Sequence, residues 1–450
     1  MSRIRIVLLS CFLLILLTAC ELPLANTPTT TASQVSATPT LAATATVQPT
    51  EESVKATASA APSLTPTATP DLSWILQAPA ADVEFQLPLT VRHVTDTTAV
   101  LQFTLEESVP ARLLAWRQSD HGDLRQIQMV DGQKVVNLEG LAPGTDYQAA
   151  VLVEGDPFSR PTLLAAGWPL LHFRTMDYSD EALKVAVFGD SGFGDQVTMG
   201  IAQQIAAEGV DFVLHTGDIV YRVNENPNPS AAYKLKLYKT HQPILVNFPF
   251  YPVTGNHEFD LPTQWQGSPY YFEAFPAVKG AGIQYPAESD GSWYAIVHDG
   301  VQFLMLNSQA LFGEPGEAEQ REWLADRIDD PDVRYSIIVI HVPPYNLGRH
   351  QTGSAVVRAR LGDLLIDPRV PLVLSGHDHN YQRWQIGSTA VVVSGGGSTV
   401  LYDLAGGDFR YQAGARASHH VLLTIGQSSI ELSAVDKNGD LIDQAVLETP

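Results

Sequence analysis

Five apolar runs in this 450-residue chain end in side chains able to bind metal or move protons. Asp190 follows Leu183-Lys-Val-Ala-Val-Phe-Gly, and Asp218 and Tyr221 follow Phe212-Val-Leu-His-Thr-Gly. Asn256 and His257 follow Tyr251-Pro-Val-Thr-Gly, His341 follows Ile337-Ile-Val-Ile, and His377 and His379 follow Val373-Leu-Ser-Gly. Alone, each has a bland explanation, since Gly-Asp after a strand is often a turn or a helix cap. Together, two carboxylates, a phenol, an amide and imidazoles at consecutive strand ends supply the ligands of two metal ions, and little else requires that set.

The elements that must position these residues are short apolar runs bounded by glycine, read as buried strands. Polar residues at their carboxyl ends, with helical or irregular connections between, are how open α/β sheets place ligands. Met199 to Gly209 has helical spacing, and the stretch from Arg222 to Asn247 reads as a long loop that shapes specificity. His420-Val-Leu-Leu-Thr-Ile425 and Ser429-Ile-Glu-Leu-Ser-Ala-Val435, joined through Gly426-Gln427-Ser428, predict a hairpin that finishes a second sheet.

Upstream, residues 73–178 show short alternating runs with turn signals between them, as an all-β sandwich would. Thr98–Thr104, Ala111–Trp116, Lys134–Leu138, Tyr147–Val153 and Leu170–Thr175 are the expected strands. Leu138-Glu-Gly-Leu-Ala-Pro-Gly-Thr-Asp-Tyr147 resembles the corner of fibronectin type III domains, in which a tyrosine hydroxyl ties a turn back to the backbone. Residues 21–72 are rich in Thr, Ala, Pro and Ser and cannot bury a core, so they read as an extended linker.

Residues 1–20 combine a basic start at Arg3 and Arg5, an apolar stretch from Ile6 to Leu17, and Leu17-Thr-Ala-Cys20. This resembles a bacterial lipoprotein signal, which implies cleavage before Cys20 and a lipid on its sulfur. The expected location is outside the cytoplasm, anchored to the outside of the cell membrane. The two cysteines are Cys11 and Cys20, so an exported chain has no disulfide, and any metal site draws on oxygen and nitrogen ligands. The net charge of −22 repels phosphate backbones, and no nucleic-acid-binding surface is expected. An anionic substrate must then be drawn in by local positive charge.

The blocks Gly189-Asp-Ser-Gly192, Gly217-Asp-Ile-Val-Tyr221, Gly255-Asn-His-Glu258, Ile338-Val-Ile-His341 and Gly376-His-Asp-His379 resemble, in order, those of purple acid phosphatases. These are a branch of the calcineurin-like metallophosphoesterases. Gly192 stands where other branches carry a histidine, and Tyr221 supplies the missing ligand. Ile338 is a small departure from the usual Val. The resemblance implies an α/β catalytic domain over 179–450, two packed mixed β-sheets flanked by helices, behind the fibronectin III-like sandwich.

It also implies a division of ligands. Asp190, Asp218, Tyr221 and His379 would hold one ion; Asp218, as a bridge, with Asn256, His341 and His377 would hold the other. A phenolate and two carboxylates suit Fe(III), and neutral Asn with two imidazoles suits a divalent ion, Zn, Mn or Fe. That leaves a surplus of about two positive charges for a phosphate monoester dianion. The implied activity is hydrolysis of small phosphorylated substrates by water activated between two ions. His257 would protonate the leaving oxygen and His350 would help hold the phosphate, beside Gln351 where the family often keeps a second histidine. Tyr381 and Arg383 match the family too and are read as support for the last loop. Phosphodiesterase or nucleotide pyrophosphatase activity on the same site, or a non-catalytic surface-binding role, are the alternatives.

Overall fold

A computed structural model describes residues 71–450 apart from 130–133, 155–161, 164–167, 180–181, 222, 224–227, 260–267 and 314. The expected signal, Cys20 and all but the end of the linker lie outside the described residues. Those residues belong to one compact unit, Pro66–Pro450.

The apolar runs become strands buried on both faces. Phe250–Pro252, Phe212–His215 and Leu183–Phe188 pair in parallel, and His419–Ile425, Ser429–Asp436 and Leu441–Glu448 extend that sheet antiparallel. The closing hairpin therefore does not finish a second sheet. It pairs with Leu183–Phe188 and completes the first, because Leu423 and Val421 pack into the same core as Val185 and Val187. The other sheet runs Ile283–Gln284, Tyr294–His298, Val301–Leu306, Tyr335–Ile340, Leu372–Ser375, Thr389–Ser394, Tyr381–Ile386, Tyr411–Ala415, parallel at its centre and antiparallel at its edges.

Alternation along each strand builds the layers. Val185, Val187, Ile337, Val339, Leu372 and Leu374 meet between the sheets. Ala186 and Phe188 face outward onto the helix Gln196–Ala207, whereas Ile338 and Ile340 face the helices Glu317–Ile328 and Gln351–Leu365. Each such Val or Ile contributes about 1.5–3 kcal/mol of burial, and this fixes the strand register on which the site depends. The helix after the first strand starts at Gln196, before the expected Met199, because Asp195 caps it by accepting from the main-chain nitrogens of Val197 and Thr198.

The stretch from Arg222 to Asn247 is not simply a loop. Its described part holds short helical turns, Pro229–Tyr233, Lys234–Tyr238 and Gln242–Leu245, with Ala232, Leu237 and Ile244 buried against the first sheet. Prolines at two of their starts obscured the period.

The N-terminal part of this unit has a three-stranded sheet, Phe85–Val94, Thr98–Leu105, Val135–Glu139, facing a five-stranded one built on Ala111–Arg117 and Asp146–Val153. Their inner residues share one core. The Tyr147 hydroxyl accepts from the nitrogen of Ala142 at 2.9 Å and donates to Asp123 at 3.0 Å, closing the turn. The strand Phe85–Val94 escaped the sequence reading because Pro88, Arg92 and His93 break its alternation; it carries register shifts against its partner. Two of these residues tie the sandwich to the α/β part: Arg92 donates to the carbonyl of Ala274, and His93 meets the Tyr251 hydroxyl at 2.7 Å.

Candidate metal centre

All five ligand-bearing strand ends converge at one edge of the two sheets. Three of the ligand candidates, Asp190, Asp218 and His377, have left-handed backbones, with φ of 58°, 57° and 68°. Side chains other than glycine pay about 1–3 kcal/mol for such conformations, which persist where packing over-determines them. Gly217 precedes Asp218 with φ of 98°, and a Cβ there would lie 2.6 Å from His341 Nδ1, so the loop comes this close only as glycine.

The geometry separates the side chains into two groups. In one, the Tyr221 hydroxyl lies 3.0 Å from His379 Nε2 and 3.3 Å from Asp190 Oδ1, and His379 Nε2 lies 3.4 Å from the same carboxylate oxygen. In the other, His341 Nε2 stands 3.2 Å from Asn256 Oδ1, 3.2 Å from His377 Nδ1 and 3.4 Å from Asp218 Oδ1. The ligand atoms of Asp218, His341 and His377 all lie within 4.8 Å of one another. The charge of Asp218 also acts on Asp190 and His379, as a carboxylate shared by both groups would.

Outer contacts fix which atoms face inward. His341 Nδ1 donates to the carbonyl of Thr216 at 2.7 Å and His379 Nδ1 to that of Val400 at 2.9 Å, which turns both Nε2 atoms into the site, where a cation would take the place of a proton. His377 donates its main-chain N–H to Asp190, and that of His257 reaches Asp218 Oδ1 at 3.0 Å. Electrostatics describe a site that calls for positive charge. Burial opposes a charge on His341, but the carboxylates of Asp218 and Asp190 outweigh it and push its pKa up to about 10. Burial, then the neighbouring His341 charge, drive His377 down to about 3, so its lone pair is available. Burial and the two carboxylates hold the Tyr221 phenol far above its usual range, so a phenolate there needs a cation beside it.

A set of oxygen and nitrogen lone pairs, nearly all buried and aimed at one another, fits metal ions and fits little else. His257 lies at the rim, its ring edge-on to Tyr221 at 4.5 Å. His350 also comes to the site: its ring lies 4.3 Å from that of His377. Tyr381 and Arg383, on the strand that follows the final loop, both bind Asp443 on the last strand, at 2.6 Å each.

Three residues were not assigned roles from sequence. Glu258, buried, accepts from the nitrogens of Gly255, Asp218 and Ile219 at 2.7, 2.9 and 2.8 Å. Burial, reinforced by the Asp218 charge, raises its carboxyl to about 7. Asp378, also buried, accepts from the nitrogens of Arg349 and His350 at 2.6 and 3.1 Å. Tyr402 stacks on His379 at 4.2 Å. For the two carboxylates the signal was present in sequence, one ending the Gly-Asn-His-Glu block and the other flanked by two histidines; for Tyr402 there was none.

Residues 183–381 match the calcineurin-like phosphoesterase family. The chain is 27% identical over 208 residues to probable purple acid phosphatase 20 of Arabidopsis thaliana, covering 45% of this chain and 46% of that protein. It is 27% identical over 259 residues to purple acid phosphatase 21 of the same plant, covering 56% and 53%. The chain thus spans about half the length of these curated relatives. Among solved structures, purple acid phosphatase PPD1 from yellow lupin (Lupinus luteus) seeds superposes with a TM-score of 0.65 at 16% identity, over 80% of this chain and 74% of that one. The two share a fold.

Proposed function

We propose that the chain, whose residues 183–381 match the calcineurin-like phosphoesterase family, hydrolyses small phosphate monoesters at a dinuclear metal centre, outside the cytoplasm. The observation that carries this is the pair of ligand groups, Asp190–Tyr221–His379 and Asn256–His341–His377, with Asp218 between them. The donor set suits Fe(III) in the first group and Zn, Mn or Fe(II) in the second. When bound, such ions supply Lewis-acid charge to a phosphoryl group and acidify water.

The chain's own groups do the rest. His257, at the rim beside Tyr221, protonates the leaving oxygen, and His350, beside His377, holds a phosphoryl oxygen. Thr216 and Val400 keep His341 and His379 in the tautomers that face inward. The basic start, apolar stretch and Cys20 support export and a lipid anchor, which labelling with a radioactive fatty acid in wild type and Cys20→Ala tests.

Metal analysis with turnover of para-nitrophenyl phosphate and bis(para-nitrophenyl) phosphate, in wild type and Asn256→Ala, tests the function. Metal-dependent turnover of the monoester, lost in the variant, is expected. Preferential turnover of the diester makes the chain a phosphodiesterase instead, and absence of both metal and turnover removes the catalytic assignment.

A further inference from the structure

A buried serine behind the first ligand loop has no part in the function just described. Ser191 follows Asp190, and its hydroxyl lies 2.8 Å from His215 Nε2 and 2.9 Å from His241 Nε2. All three side chains are buried, and the Phe188 ring packs against both imidazoles, at 4.8 and 5.6 Å.

The outer nitrogens fix the direction of each hydrogen bond. The main-chain nitrogen of Gly217 donates to His215 Nδ1 at 3.2 Å, so the His215 proton is on Nε2 and points at Ser191. His241 Nδ1 faces the carbonyl of Leu237 at 3.0 Å, which can only accept, and burial lowers the ring's pKa to about 4, so Nε2 is left as a lone pair. Ser191 therefore accepts from His215 and donates to His241. A single run of hydrogen bonds leads from Gly217, next to Asp218, through the residue after Asp190, to Leu237 in the helical turn Lys234–Tyr238. That turn meets the same ligand group a second time, because Lys236 Nζ donates to the main-chain carbonyl of Tyr221 at 2.6 Å. Asn256, His341 and His377 stand on three other strand-end loops.

We propose that Ser191 is a positioning residue: through His215 and His241 it sets the Asp190 loop against the Asp218 loop, and so tunes the affinity of the Asp190–Tyr221–His379 group for its ion more than that of the other group. This rests on the dinuclear centre of the proposed function and not on turnover. Calorimetric titration of the metal-free protein with zinc(II) tests it in two backgrounds, Asn256→Ala, which spares the first group, and His379→Ala, which spares the second. Adding Ser191→Ala should weaken zinc binding about tenfold or more in the first background and less than about twofold in the second. Ser191→Ala strands two buried imidazoles, so His241→Gln and His241→Leu in the first background form a second pair. The glutamine oxygen can accept from Ser191 where Nε2 did, and should retain the zinc affinity that leucine loses. Equal weakening in both backgrounds, as general loosening would give, or a glutamine variant no better than the leucine one, overturns the inference. Para-nitrophenyl phosphate turnover by wild type reports separately on the hydrolase assignment: selective weakening in a protein without turnover supports the positioning role and overturns the enzyme.

Discussion

The carboxylate of Glu258 accepts hydrogen bonds from the main-chain nitrogens of Asp218, at 2.9 Å, and Ile219, at 2.8 Å. Two of the five strand-end loops are thereby locked to each other through one buried side chain. Because Asp218 lies between both ligand groups, the spacing of the whole centre depends on this lock.

Replacing Glu258 by alanine leaves three main-chain donors without partners in a buried site. An orphaned buried donor costs about 1–3 kcal/mol, so Glu258→Ala should lose about 3 kcal/mol or more, and Glu258→Gln, which keeps acceptor capacity on one oxygen, clearly less. Urea unfolding of the metal-free proteins measures this. Equal midpoints for wild type and Glu258→Ala would show that the lock carries no stability.

Tyr221 should give the protein its spectrum. If the phenol binds Fe(III) as phenolate, the purified protein absorbs visible light and Tyr221→Phe bleaches it while retaining the fold. An active, colourless wild type means another ion in that group.

A second set of histidines predicts how the fold responds to acid. His93 packs its ring 5.6 Å from that of His298, where the sandwich meets the α/β part, and burial lowers its pKa to about 4, against a smaller opposing pull from the Ala281 carbonyl. Burial and the charge of His93 hold His298 well below its usual value too. The unfolded chain titrates near 6.5, so between about 6.5 and 4 it binds protons that the folded chain refuses. Stability is complete above about 6.5 and falls as pH drops through that window. His93→Gln should flatten the loss by about 1–3 kcal/mol between pH 7 and pH 4, read from urea midpoints. An unchanged slope assigns the acid sensitivity to other groups.

Disrupting Asp378 should loosen the rim and spare the core. Asp378→Ala frees the nitrogens of Arg349 and His350, both on one loop, so turnover should fall about tenfold or more while the thermal midpoint moves by only a few degrees. Comparable activity in the variant would show that the loop needs no such anchor.

Much of this was legible because the strands are buried on both faces. Continuous runs such as Val185–Phe188 and Ile337–Ile340 announce themselves, and each ends in a ligand candidate. Phe85–Val94 did not, because it carries polar groups that hold the sandwich against the α/β part. The helical turns between Pro229 and Leu245 are too short to show a period. Glu258 and Asp378 were visible as letters, but their function is to accept main-chain donors from other loops, which only the fold brings within reach. The placement of the closing hairpin likewise depended on long-range pairing that no local pattern encodes.

The central claim is a pair of metal ions sharing Asp218. Metal content per chain, measured by mass spectrometry on wild type, Asn256→Ala and Asp218→Ala, tests it most directly. Two ions in wild type, about one in Asn256→Ala and fewer still in Asp218→Ala are expected. Wild-type protein with no stoichiometric metal, or Asp218→Ala retaining both ions, would contradict it.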